Sequence, residues 1–318
     1  MTTPLSYLSA SGGQARTILP LTWFTLGVSI FVCVAIGVCL WLALRRARQR
    51  PWPLDMRSVP VERGGSGLRW IGIGLALSAV PLLVTLVWTM VALAGAQTPN
   101  QTAMTLDVTP HQWWWEVRYD SPRPNETFST ANEIHIPVGE AVRVRLHGAD
   151  VIHSFWIPQL SGKTDAIPGQ TNVTWLQAQQ SGRYEGQCTE YCGMQHAHMA
   201  LEVVAESPDA FAAWRANQLQ PAQPPATATL QSGKEVVEYR CGLCHKVRGT
   251  RAAAVSAPDL THVGSRRWLA AGTVPNDPGH LAAWILAPQS FKPGTLMPPQ
   301  QLQGQQLADV VAYMATLR

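Results

Sequence analysis

The distribution of apolar and polar positions divides the chain into regions of different kind. Thr22 to Leu44 is a run of 23 residues without a charge, and no charge occurs from Trp70 to Leu106. A helix of 23 residues spans roughly 35 Å at ~1.5 Å per residue, enough to cross an apolar bilayer core of about 30 Å. Between the runs lie Arg45, Arg46, Arg48, Arg50, Arg57, Arg63 and Arg69, against only Asp55 and Glu62. That excess assigns loop 45–69 to the cytoplasmic side and both chain ends to the opposite side. The pattern predicts a two-helix membrane hairpin, 22–44 and 70–96, after a short extracytoplasmic segment 1–21. A cleaved signal peptide is disfavoured, because the first run has no basic start and the arginines follow it as a stop-transfer signal would. Trp23, Trp41, Trp70 and Trp88 fit interfacial anchors or bundle packing, and Cys33 and Cys39 fit apolar packing.

After Gln97 the period shortens. Ile134–Val138, Ala141–Leu146 and Ala200–Val204 alternate or run apolar as strands do, with Gly and Pro between them. The spacing predicts a small antiparallel sandwich or barrel over 97–206. Ser207 followed by Pro208 predicts a helix from Pro208 to Gln218. Gln220 to Thr229 is rich in Pro, Ala and Gln and reads as a semi-rigid linker that could reach roughly 30 Å at about 3.1 Å per residue. A third unit occupies 230–318.

Composition changes this picture little. The 318 residues are 46% hydrophobic with a formal charge of +4, which indicates neither nucleic acid nor an acidic substrate. Candidate chemistry changes it more. Cys188-Thr-Glu-Tyr-Cys192-Gly-Met-Gln-His196-Ala-His-Met199 gathers two thiolates, an imidazole and a thioether around one carboxylate, Glu190. Thiolate and thioether are soft ligands, so the set favours copper, and the Cys spacing lets two sulfurs bridge a pair of ions. No second Cys/His pair of the kind a zinc knuckle needs lies nearby.

Cys241-Gly-Leu-Cys244-His245 is the C-x-x-C-H pattern of covalent c-type haem attachment, with His245 as axial ligand. A half zinc site is poorly served, since no cysteine follows residue 244. Met297, in the loop Lys292-Pro-Gly-Thr-Leu-Met-Pro298, is the expected sixth ligand. Met314, grouped with Val310, Val311 and Leu317, is expected to pack on a terminal helix.

With these motifs in place, the chain resembles subunit II of the haem-copper cytochrome c oxidases, in the subclass with a fused cytochrome c. The resemblance rests on the two spans, on His153, and on C-x-E-x-C-x-x-x-H-x-x-M from Cys188 to Met199. It extends to His111-Gln-Trp-Trp-Trp115, Lys163-Thr-Asp-Ala-Ile-Pro-Gly169, Tyr184-Glu-Gly-Gln-Cys188, Ala257-Pro-Asp-Leu-Thr261 and Lys292 to Met297. It implies a cupredoxin-like Greek-key barrel, a small all-α cytochrome c domain and a binuclear copper centre, CuA. By that resemblance Cys188 and Cys192 bridge two coppers. His153 and His196 each ligate one, Met199 is a weak axial ligand, and Glu190 gives its backbone carbonyl. The Glu190 carboxylate then faces a magnesium or manganese ion shared with the catalytic subunit, as suits a hard donor. Trp113 is the implied surface point at which electrons arrive, while Trp114 and Trp115 also fit a patch packed against the hairpin. His111, His135, His147, His198, His262 and His280 are read as ordinary histidines.

The implied role is the electron-input subunit of a proton-pumping oxygen reductase in a bacterial plasma membrane, with both metal domains extracytoplasmic. Subunits I and III are the implied partners, and a small cytochrome c or a quinol-oxidising complex the external donor. The equivalent subunit of a nitric oxide reductase, a free-standing carrier and a copper chaperone are the alternatives. Residues 100–205 hold 6 Arg or Lys against 11 Asp or Glu, and residues 230–318 hold 9 against 5. The acidic and basic domains should therefore attract, so the haem is expected to dock on its own copper domain. One departure is Gly67, which stands where the family carries a glutamate near the second span, and the nearest acid is Glu62.

Overall fold

The computed structural model describes residues 5–48, 66–97, 99, 101–302 and 304–318. Arg50, Asp55, Arg57, Glu62 and Arg63 of the arginine-rich loop lie outside the described residues. Two units emerge, Thr17–Gln97 and a second made of the N-terminal residues with Thr98–Arg318.

The first unit holds helix α1, Gly13–Arg48, from Thr17 onward, and helix α2, Ser66–Gly95. Both bury none of their most apolar stretch within the chain and are long and apolar enough to cross a membrane, which suits a membrane anchor. Phe24 packs on Trp88 with ring centroids 5.4 Å apart, which is bundle packing. Trp23, Trp41 and Trp70 are at least half exposed, as lipid-facing or interfacial anchors would be. Cys33 and Cys39 are exposed rather than packed inside the hairpin. Helix α1 starts well before residue 22 and runs through Arg45, Arg46 and Arg48 in its last turn. Loss of apolarity does not end a helix, and cations at a C-terminus stabilise it.

Part of the expected extracytoplasmic segment belongs to the second unit. The amides of Ser11 and Gly12 donate to the Gln159 carbonyl at 2.8 and 2.9 Å. A Cβ on Gly12 would lie 2.4 Å from the Leu160 carbonyl oxygen, so only glycine permits that approach.

The β-domain is built from β1 Met104–His111, β2 Trp114–Tyr119, β3 Phe128–Ala131, β4 Glu133–Pro137 and β5 Val142–His147. It continues with β6 His153–Trp156, β7 Thr164–Ala166, β8 Thr171–Leu176, β9 Gly182–Cys188 and β10 Ala200–Glu206. They form two five-stranded sheets, β3-β2-β1-β5-β8 and β4-β10-β9-β6-β7, a two-layer cupredoxin-like arrangement. Alternation on β5 buries Val142, Val144 and Leu146 and turns Arg143 and Arg145 outward. The facing layers enclose Leu106, Val108, Trp115, Ile134, Ile136, Phe155 and Val203. The sandwich is mixed rather than antiparallel, because β1 runs parallel to β5 and β4 parallel to β10. Periodicity tells which face is buried, not the direction of a neighbouring strand.

Helix α3 spans Pro208–Gln218, with the Ser207 hydroxyl accepting from the Ala210 amide. The segment after it is not a free spacer. The Ala222 amide donates to the Arg248 carbonyl at 2.9 Å, and Arg248 donates back to the Gln218 carbonyl. Helix α4 begins at Ala228, capped by Thr227, inside what composition assigned to the linker. A π turn, Val237–Cys241, carries α4 into the C-x-x-C-H motif. The short strands β11 Trp268–Leu269 and β12 Val274–Pro275 follow, then α5 Pro278–Leu286, α6 Pro288–Phe291 and α7 Gln305–Thr316.

Helices α4 and α7 cross at Gly233, where a Cβ would lie 2.1 Å from the Asp309 carbonyl oxygen. Neither backbone can yield locally, so Gly233→Ala is expected to destabilise this domain by about 3 kcal/mol, the upper end of ordinary overpacking. Denaturant unfolding of the full chain, followed at the haem band, measures it. A loss under ~1 kcal/mol would show that the helices can slide apart.

Candidate metal centre and haem-attachment site

Each donor of the Cys188–Met199 cluster is delivered by a defined element. His153 opens β6, Cys188 ends β9, and Met199 immediately precedes β10. A hydrogen bond from the Cys188 amide to the Met199 carbonyl, 3.0 Å, closes the intervening loop. Gly193 adopts φ +110 within it, a conformation that favours glycine. The Cys188 and Cys192 sulfurs are 3.8 Å apart. Cys188 Sγ lies 3.9 Å from His153 Nδ1 and 3.3 Å from the Glu190 carbonyl oxygen. Cys192 Sγ lies 3.6 Å from His196 Nδ1 and 3.9 Å from Met199 Sδ.

His153, Cys188, Cys192 and Met199 are all buried. Hydrogen bonding with Cys192 and His153 holds the Cys188 thiol far below its ordinary value despite burial. The same shared hydrogen bond, with burial, pushes Cys192 up. The pair thus titrates as a unit. Donors of this softness converging on one point, with no carboxylate side chain among them, fit copper. The Glu190 side chain is instead 44% exposed and 3.7 Å from Lys163 Nζ.

Sequence reasoning did not single out Asp150. Its Oδ1 is 2.7 Å from His153 Nε2, leaving Nδ1 for the sulfurs. Burial opposes charge on Asp150, yet hydrogen bonds from His153 and from the Val151 and Gln112 amides keep its pKa below the ordinary carboxylate value. Carboxylates of this kind fix the ring and its tautomer. Asp150→Asn is expected to weaken copper binding by ~10–100-fold, read by competition with a chelator in the full chain. An unchanged affinity would remove Asp150 from the site. The only advance signal was an acid three residues before a ligand histidine.

The tryptophan run divides differently from expectation. Trp115 is fully buried within the β-domain core, edge-on to Phe155, and so is not a patch on the hairpin. Trp114 stacks on His111 with centroids 4.5 Å apart. Trp113 was expected at the surface and is 8% exposed. Its indole N–H donates to the Cys192 carbonyl at 2.9 Å. Its ring is covered from the C-terminal domain, where a Cβ on Gly294 would lie 3.5 Å from it. His135 is also less ordinary than expected, held between Glu133 at 2.8 Å and Glu206 at 3.0 Å and stacked on Trp214.

In the C-x-x-C-H motif the His245 amide donates to the Cys241 carbonyl at 2.8 Å. His245 Nδ1 is 2.7 Å from the Pro258 carbonyl oxygen, which orients the ring and leaves Nε2 for an iron. Burial pushes the Cys241 thiol up to about 11, so it is neutral near pH 7. Leu243 and Leu296, beside the two motifs, are 77% and 91% exposed and offer apolar surface. These residues fit a covalently attached haem. Met297 is half-buried in its loop, whereas Met314 is 4% exposed within the α7 core.

Soft donors in one domain and a haem-attachment motif in the next place the chain among membrane-anchored copper and haem redox proteins. Comparison with known proteins narrows that class. Residues 122–207 match the family described as cytochrome c oxidase subunit II, periplasmic domain, and residues 230–318 match cytochrome c. Cytochrome c oxidase subunit 2 of Alkalihalophilus pseudofirmus is 31% identical over 318 residues, covering 99% of this chain and 91% of that one. The Bacillus subtilis protein of the same name is 31% identical, over 62% of this chain and 57% of its own. The periplasmic domain of subunit II of cytochrome oxidase from Bradyrhizobium japonicum is 34% identical with a TM-score of 0.36, covering 38% of this chain and 96% of that domain. The chain belongs to the cytochrome c oxidase subunit 2 family, part of an oxidoreductase complex, and carries a fused cytochrome c domain. Membership implies copper and haem.

Proposed function

We propose that this chain is the electron-input subunit of a haem-copper terminal oxidase that reduces oxygen to water with proton translocation. When bound, one haem c and a pair of copper ions supply redox levels that accept single electrons and pass them toward subunit I. Cys241 and Cys244 would hold the haem through thioethers, with His245 and Met297 on its iron. Cys188 and Cys192 would bridge the coppers, with His153, His196, Met199 and the Glu190 carbonyl completing their coordination. The exposed Glu190 carboxylate suits a magnesium or manganese ion shared with subunit I. Residues 22–96 would anchor the chain, and both metal domains would face the extracytoplasmic side of a bacterial plasma membrane. Subunit III and a small cytochrome c or quinol-oxidising complex would be the other partners.

One observation carries this reading. Trp113 donates to the Cys192 carbonyl and lies against the loop that leads from Lys292 through Gly294 to Met297. A buried indole thereby connects the backbone of a proposed copper ligand to the loop that carries Met297. A surface electron-receiving point would serve an external carrier; a covered one serves the tethered domain. Met199 and His196 also exceed what a copper chaperone needs. Purification in mild detergent, followed by gas-consumption assays, tests the proposal. A co-purifying haem-copper subunit that consumes oxygen is expected. Absence of that subunit, or consumption of nitric oxide alone, would overturn it.

A further inference from the structure

We propose that Lys292 is an interdomain clamp, a positioning residue whose buried ammonium locks the cytochrome domain in one docked pose on the copper domain. The proposal rests on the reading of the chain as an intramolecular electron relay, and names the residue that sets its geometry.

Lys292 is 2% exposed. Its Nζ donates to the carbonyls of Trp113 at 2.7 Å, His198 at 2.8 Å and Ala270 at 3.1 Å. Three acceptors use all three donors of an ammonium group. Two of them belong to the copper domain, on the turn before β2 and on the loop of the candidate metal site. The third belongs to the turn between β11 and β12. Lysine is rarely buried to this degree unless paired with an acid, and here the acceptors are neutral carbonyls. Desolvation accordingly lowers its pKa to about 7. Such a group costs stability, and its best attested use is to specify one arrangement over others.

The surroundings make the same connection. Gln195 Nε2, in the metal-site loop, donates to the Pro293 carbonyl at 2.8 Å. The Ala200 amide donates to the Ala271 carbonyl at 3.0 Å, and a Cβ on Gly272 would lie 2.8 Å from Ala200 Cβ. A bridge of 3.3 Å joins the half-exposed Arg267 to the buried Glu202, which Arg183 also holds. Opposite net charges bring the domains together, and Lys292 then fixes them. The exposed attraction is screened by salt, but the buried hydrogen bonds are not.

The test uses the full metal-loaded chain. Haem-to-copper transfer is followed after flash photoreduction, and amide hydrogen exchange is followed at Ala200, which bonds across the interface. In the wild-type chain the rate should hold constant from low to high salt, with Ala200 strongly protected. Lys292→Met should slow transfer at least about tenfold as the docked fraction falls, make it salt-dependent, and release Ala200 while both centres keep their spectra. Lys292→Arg, which keeps the charge but cannot direct a planar fork to the same three carbonyls, should also slow transfer; it replaces the methionine variant if that one does not fold. A wild-type rate that falls several-fold with salt, or variants with wild-type rate and protection, would overturn the clamp. Absence of any haem-to-copper transfer in the wild type would overturn the relay instead, and the Ala200 measurement would still decide the clamp.

Discussion

Serine in place of Cys192 is expected to abolish the thiolate-bridged copper signal while leaving the β-domain folded. Cys192 Sγ occupies the middle of the cluster, within 3.6–3.9 Å of the Cys188 sulfur, His196 Nδ1 and Met199 Sδ. A serine hydroxyl is a hard donor that stays protonated near neutral pH, so it cannot take the place of a soft thiolate. The backbone role of the residue survives the change. Its carbonyl still accepts from Gln112 Nε2 and the Trp113 indole, so the loop keeps its principal tethers. The variant should therefore show wild-type secondary structure, lack the delocalised mixed-valence resonance and retain no bridged pair. Persistence of that resonance in Cys192→Ser would eliminate the bridging role.

Met297→Ala is expected to convert a six-coordinate low-spin haem into a high-spin or solvent-ligated one and to lower its reduction potential. Thioether ligation raises the potential of a histidine-ligated haem, and removal of the methionine takes that away. The loop itself does not depend on the methionine side chain. Gln289 Nε2 donates to the carbonyls of Thr295 and Met297 at 2.7 and 3.1 Å, and its Oε1 accepts from the Gly294 amide. A spectral change thus reports on ligation rather than on loop collapse. Met314 cannot substitute, since it is packed in the α7 core beside Val310 and Tyr313. An unaltered low-spin spectrum would require another sixth ligand.

Much of this site was legible because its chemistry is local. The spacing from Cys188 to Met199 lies within one loop between adjacent antiparallel strands, and C-x-x-C-H lies within one helical turn. Both motifs survive as strings of sequence. The helix Pro208–Gln218 was legible for the same reason, since its cap and first turn are neighbours in the chain. Asp150 was not legible as a supporting group, because an acid near a histidine is common and only the fold aims this one at Nε2. The linker was misread because composition describes a segment's freedom in isolation. It says nothing of the Arg248 backbone that accepts the Ala222 amide. Trp113 was placed at the surface by the family resemblance, and nothing local to the run of indoles tells what covers it. The covering surface comes from residues roughly 180 positions later.

Periodicity, and residues close together in the chain, were enough to give the two long apolar helices, the β-domain, the cytochrome domain and the cluster from Cys188 to Met199. Tertiary structure alone decided how the two redox domains meet. Burial of Lys292 on three carbonyls, and of Trp113 under Gly294, depends on contacts between distant segments, and no local pattern of residue types encodes a contact of that range.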